Sequence, residues 1–151
     1  MSISGSAAMI GGGQLSGEIT MDFEAIGTTW APRLLSILRI VSGLALLEHG
    51  TAKIFKFPVV ATMAKIDLSS MGGIAGFFEL IGGALLLIGL FTRPVAFILS
   101  GMCAVAYFYA HAPRGFYPIL NGGEAAMIYT FLMLYIAAAG PGPWSADAAR
   151  K

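Results

Sequence analysis

The chain alternates long apolar runs with short polar punctuation. Four runs stand out, at residues 32–55, 72–91, 94–110 and 124–139. Each approaches the roughly 20 residues that a helix needs to cross a bilayer. None shows the strict apolar–polar alternation of a half-buried strand. Trp30 marks the entry to the first run, and Pro32 suits a first helical turn. Thr92, Arg93 and Pro94 separate the second run from the third. The stretch "NGGE" (Asn121 to Glu124) opens the fourth, and "GPGPW" stops it. The pattern predicts an all-α fold, a transmembrane four-helix bundle with antiparallel neighbouring spans. The link at 56–71 is predicted to hold a short interfacial helix. "HAPRGFYPILNGG" reads as a folded loop at the membrane interface. By this reading residues 1–31 form a polar tail, 32–147 the four-span domain and 148–151 a C-terminal tail.

Composition supports the membrane class. Of 151 residues, 57% are hydrophobic and 11% charged, against about 25% charged in a typical soluble domain. Mean hydropathy is +0.80. The net charge of +1 gives no reason to expect a nucleic-acid partner. Cys103 is the only cysteine, so an intramolecular disulfide and a dithiol cycle are both excluded. The 20 glycines fall largely within the apolar runs, which suits close helix approach in lipid. Residues 1–30 carry no Lys or Arg, so they lack the basic start of a secretory signal.

Helical spacing then sorts the polar groups. Arg39, Ser42, Leu46, His49 and Lys53 share one face of the first run. Gly72, Gly76, Glu79 and Gly83 share one in the second, and Ser100, Ala104, Tyr107 and His111 one in the third. Glu124, Ile128, Phe131 and Tyr135 share one in the fourth. A charge facing lipid costs several kcal/mol, so these faces are predicted to point inward. Alternating spans place Glu48, His49, Lys53, Glu79, His111, Arg114, Asn121 and Glu124 in one half of the membrane. The result is a polar cup in one leaflet, with little polar in the opposite half. Arg39 lies deeper, and its long stem can reach toward Glu79 or snorkel the other way.

Plainer roles compete for most of these residues. Lys53 suits a snorkelling anchor. Asn121 and Glu124 match a capping box. Glu48 can face headgroups, His111 can sit at the interface, and Cys103 suits a small buried residue. Glu79 is hardest to explain away. It lies in "GFFELIGGALLLIGL" with no polar neighbour in sequence, so its burial demands a partner or protonation. The candidate ligand or proton-relay set is therefore Arg39, His49, Lys53, Glu79, His111, Asn121 and Glu124. No catalytic residue is assigned and no metal site is predicted.

Three ordered motifs carry a resemblance: "LLSILRIVSGLALLEHGTAKIF", "FFELIGGALLLIGLFTRPVA" and "NGGEAAMIYTFLMLYIAAAGPGPWSAD". Over residues 32–147 the chain resembles the DoxX family of small four-helix membrane proteins. The resemblance implies an integral protein of a bacterial or archaeal cytoplasmic membrane. Related members include a membrane subunit of a thiosulfate–quinone oxidoreductase and accessory components of redox complexes. Residues 1–31 fall outside the match.

Two functions follow as expectations. In the first, the chain is an accessory or assembly subunit of a larger membrane complex of redox type, not a complete enzyme by itself. Its partners are then the bilayer and other subunits, or further copies of itself. In the second, the cup binds a quinone head group or a small anion for an oxidoreductase, with Lys53 and Arg39 as donors and His49 and Glu79 as a relay. No haem, flavin or iron–sulfur motif is present, so no covalently held cofactor is implied and electrons would come from elsewhere. A small transporter is a weaker alternative, since four spans are few for one.

Overall fold

A computed structural model describes the backbone of residues 15–150 and the side chains of residues 25–150. The chain divides into two compact units, Met1–Ala31 and Pro32–Lys151. The polar-tail expectation for residues 1–14 falls outside the described residues. Helix α1 covers Leu15–Ile54, so Pro32 lies inside a helix rather than in a first turn. Within the first unit, the Thr28 hydroxyl donates to the Ala25 carbonyl at 3.1 Å.

The second unit is a helical bundle. Helix α2 spans Met71–Ile88 and α3 spans Thr92–Ala106. A π turn at Tyr107–His111 and a 3-10 turn at Ala112–Arg114 extend α3. A one-turn α4 follows at Pro118–Asn121, then α5 at Glu124–Ala139 and a short α6 at Ala146–Ala149. Among the described residues three stretches are long and apolar enough to cross a membrane: Ala25–Ile54, Met71–Ile88 and Thr92–Arg114. The fourth apolar helix, α5, has 16 residues. The link between α1 and α2 forms turns, not the expected interfacial helix. The Lys56 ammonium organises it by donating to the carbonyls of Lys53 (2.9 Å), Met63 (3.4 Å) and Ile66 (2.9 Å). One cation thus takes the place of a helical ladder.

Glycines set the α1–α2 distance. A Cβ on Gly43 would meet the Leu87 amide at 2.7 Å, and one on Gly83 would meet the Leu47 amide at 2.6 Å. Gly50 faces the Leu80 backbone and Gly76 faces the Lys53 side chain. This register is antiparallel and lets the two backbones touch, as small residues do in membranes. Antiparallel α3 and α5 are joined by Ser100, whose hydroxyl donates to the Thr130 carbonyl at 2.7 Å. Leu46, Leu86, Ala96, Leu99, Cys103, Met133 and Ile136 form the buried apolar core.

The end of the bundle that the polar pattern left nearly apolar is instead a dense polar clasp. Arg39 is fully buried there. Its Nε donates to the Pro141 carbonyl (2.8 Å) and its Nη1 to the carbonyls of Leu87 (2.9 Å) and Leu86. Its Nη2 donates to the Trp144 carbonyl. The cation therefore meets the negative end of α2 and ties the segment after α5 to α1. Gly89 closes α2 with φ +70°, and its amide and that of Leu90 bond back to Leu86 and Leu85 at 3.0 and 2.9 Å. A Cβ there would also strike the Arg39 guanidinium. The Ser36 hydroxyl accepts from the Trp144 amide at 3.2 Å. Arg93 donates to the Ala137 carbonyl (3.0 Å) and the Ala138 carbonyl (2.5 Å), at the negative end of α5.

Asp147 completes the clasp from the opposite sign. Its carboxylate accepts from the amides of Phe91 (2.9 Å) and Thr92 (2.8 Å), capping the positive end of α3. Burial by itself would push its pKa up. The Thr92 and Phe91 bonds, with Arg150 nearby, outweigh that and hold it below the ordinary value. A lowered folded pKa means that the stabilisation is present above the unfolded value of about 4 and lost as pH falls through the folded value. Thermal stability in detergent should therefore drop on acidification through this range, and Asp147→Asn should flatten that drop.

Candidate polar site

At the other end of the bundle the close approach of α1 and α2 brings two charges together. The Lys53 Nζ donates to the Glu79 Oε1 at 2.6 Å. Gly76 makes this reach available, because a Cβ there would lie 3.0 Å from the Lys53 Cβ. Both side chains are largely buried, 13% and 9% exposed. Among the described residues the second carboxylate oxygen, Oε2, has no hydrogen-bond partner. An ammonium carries three N–H groups, and Glu79 takes one of them. The pair is thus matched in charge and open in hydrogen bonding.

His49 stands one turn before Lys53 on α1, half-buried and within electrostatic reach of Glu79. Cys103 of α3 is buried within reach of both Glu79 and Lys53. Tyr129 of α5 is partly buried within reach of Cys103 and Glu48. All four long helices therefore contribute a titratable group to one region. Among the described residues no group of three His, Cys, Asp or Glu side chains is placed to hold a metal ion.

The sequence-derived set divides three ways. Lys53, Glu79 and His49 are brought together. Arg39 turns toward the clasp, because two carbonyl oxygens at the end of α2 and two in the segment after α5 offer it more than one shared carboxylate. His111 and Asn121 form a second cluster in the α3–α5 connection. The His111 Nδ1 lies 3.2 Å from the Asn121 carbonyl. The Asn121 carboxamide donates to Gly115 and accepts from the Gly123 amide, each at 2.8 Å.

Glu124 is exposed, and so are Ile128, Phe131 and Tyr135. The inward face predicted for the fourth helix is therefore its outward face. The inward face of α5 carries the buried Met133 and Ile136, with Tyr129, Leu132 and Ala137 packed against the core. Anchoring the face on the charge at the helix start misplaced it. The capping box is also absent: Gly123 is the N-cap of α5, and Asn121 bonds to Gly123 instead. Tyr129 and the electrostatic role of Cys103 were missed, although the spacing Tyr129, Met133, Ile136 carries the true inward face.

A DoxX family profile matches residues 34–112. A protein of Haemophilus influenzae, described as uncharacterised, is 43% identical over 122 residues, covering 78% of this chain and 91% of that relative. The chain belongs to the DoxX family. It is an integral membrane protein, as its apolar helices require. No solved structure matches. The matched region includes Arg39, Lys53, Glu79 and Cys103, so both the clasp cation and the polar pair lie inside this DoxX protein's family core. The clasp's other half, from Pro141 to Asp147, lies beyond the matched region.

Breaking the pair on one side should be costly. Lys53→Met leaves a buried Glu79 without its cation, a change worth roughly 3–5 kcal/mol. Chemical unfolding in detergent should show Lys53→Met to be less stable than Glu79→Gln, which leaves a carboxamide oxygen to accept from Lys53 and a long stem that can carry the cation outward.

Proposed function

We propose that this DoxX protein is an accessory or assembly subunit of a larger redox-type complex in a bacterial or archaeal cytoplasmic membrane. The observation that carries the reading is the buried Lys53–Glu79 pair, whose Oε2 is itself buried and, among the described residues, without a hydrogen-bond partner. A bundle held only for its own sake would gain by replacing such a pair with apolar residues, since desolvating two charges offsets their attraction. Retaining it fits a contribution to something beyond the bundle. One cysteine cannot supply a cysteine-ligated cluster, so in this reading electrons are carried by a neighbouring subunit or a diffusing carrier.

A second reading is favoured by one detail. With Arg39 committed to the clasp, the site has one cation and one carboxylate and no surplus positive charge. That weighs against a small anion. It suits a neutral head group that accepts from Lys53 and donates to Oε2, as a quinone–quinol couple does in its two states. An apolar groove of about 290 Å³ between α2 and α3 is lined by residues that include Phe78, Gly82 and Leu99. Gly82 is one turn from Glu79, so the same helix offers a hydrocarbon tail a place to lie.

Native purification in mild detergent, with mass spectrometry of bound proteins and lipophilic ligands, tests both readings. The expected result is co-purification with larger membrane subunits. On the second reading a bound quinone is also found and is lost in Glu79→Gln while the partners stay. A persistent monomer or homodimer carrying neither would overturn both.

A further inference from the structure

The connection between α3 and α5 is built unlike a loop in water. Phe116, Tyr117, Ile119 and Leu120 are 87%, 63%, 73% and 80% exposed. Four neighbouring apolar side chains held outward are costly in water. Yet the turn that carries them is tied by hydrogen bonds. Asn121 is buried beneath them and bonds to both ends of the turn, at Gly115 and Gly123. His111 meets the Asn121 carbonyl, the Gly123 amide reaches the Pro118 carbonyl at 3.1 Å, and the amides of Leu120 and Asn121 reach the Tyr117 carbonyl at 3.0 Å. Backbone in an aqueous loop can bond to water. Backbone at membrane depth must be satisfied internally.

Helix length points the same way. The 16 residues of α5 rise about 24 Å, against a hydrocarbon core of about 30 Å. A helix shorter than the core draws the turn fused to its start toward the acyl chains. The polar clasp holds the other end. Exposed Arg114 and Glu124 flank the turn and set its depth, since both must stay at headgroup level.

We propose that residues 116–120 form an interfacial wedge, whose four apolar side chains dip from the headgroup layer into the acyl chains beside the Glu124 end of α5. The occupant of this surface is lipid. The wedge is continuous with the spans, and its aromatic–aliphatic composition with a basic flank is that of a membrane-interface anchor.

The test uses the full chain with Cys103→Ala, carrying Phe116→Cys or Leu120→Cys labelled with an environment-sensitive fluorophore. The protein is reconstituted in phosphatidylcholine vesicles, and helicity by circular dichroism confirms folding. Ile119→Cys replaces either variant that does not fold. The expected result is blue-shifted emission that a shallow spin-labelled lipid quenches and aqueous iodide barely affects. Water-like emission that iodide quenches and the lipid label does not would overturn the wedge. Protection from both quenchers would also overturn it, and would assign the surface to another protein chain.

Discussion

Everything in the bundle depends on where the Arg39 cation finds its acceptors. A guanidinium buried among apolar helices must fill its donors or leave the protein interior. Here it fills them with carbonyls from Leu86, Leu87, Pro141 and Trp144. Two of these lie at the negative end of α2, and two lie in the chain that follows α5. A single side chain of α1 therefore ties the end of α2 to the C-terminal segment. Asp147 then reaches the positive end of α3, and Arg93 the negative end of α5. Each ion sits at the helix end whose dipole it complements.

This arrangement separates holding from acting. Once the clasp secures one end, the glycine register of α1 and α2 carries Lys53 to Glu79 at the other. Gly43, Gly50 and Gly83 are spaced so that the two backbones touch, and Gly76 makes room for the Lys53 side chain. Lys53 therefore needs no extended reach. What results is a matched pair with one carboxylate oxygen unpartnered among the described residues, within electrostatic reach of His49 and Cys103. On the proposed function, such a site takes up a proton or a neutral polar group.

The helices and their order were legible because apolar run length in a bilayer is a strong constraint. The Lys53–Glu79 encounter was legible from helical period and alternating spans. The clasp was not. It depends on long-range acceptors that are backbone carbonyls, and these leave no trace in side-chain identity. Arg39 therefore looked like a member of the cup. The inward face of α5 was misread for a related reason. Glu124 is the only charge on that helix, but at a helix start a charge reaches headgroups without facing the core. The turns after α1 were misread because the three carbonyls that gather on Lys56 are also invisible in the pattern.

The central claim is that the clasp holds the fold and the Lys53–Glu79 pair serves something outside it. The most direct measurement is unfolding of the double variant Lys53→Met with Glu79→Leu, followed by native purification of the same protein. The account predicts stability equal to or above the parent chain, with partner or ligand association lost. A double variant that no longer folds, or one that folds and keeps every association, would contradict it.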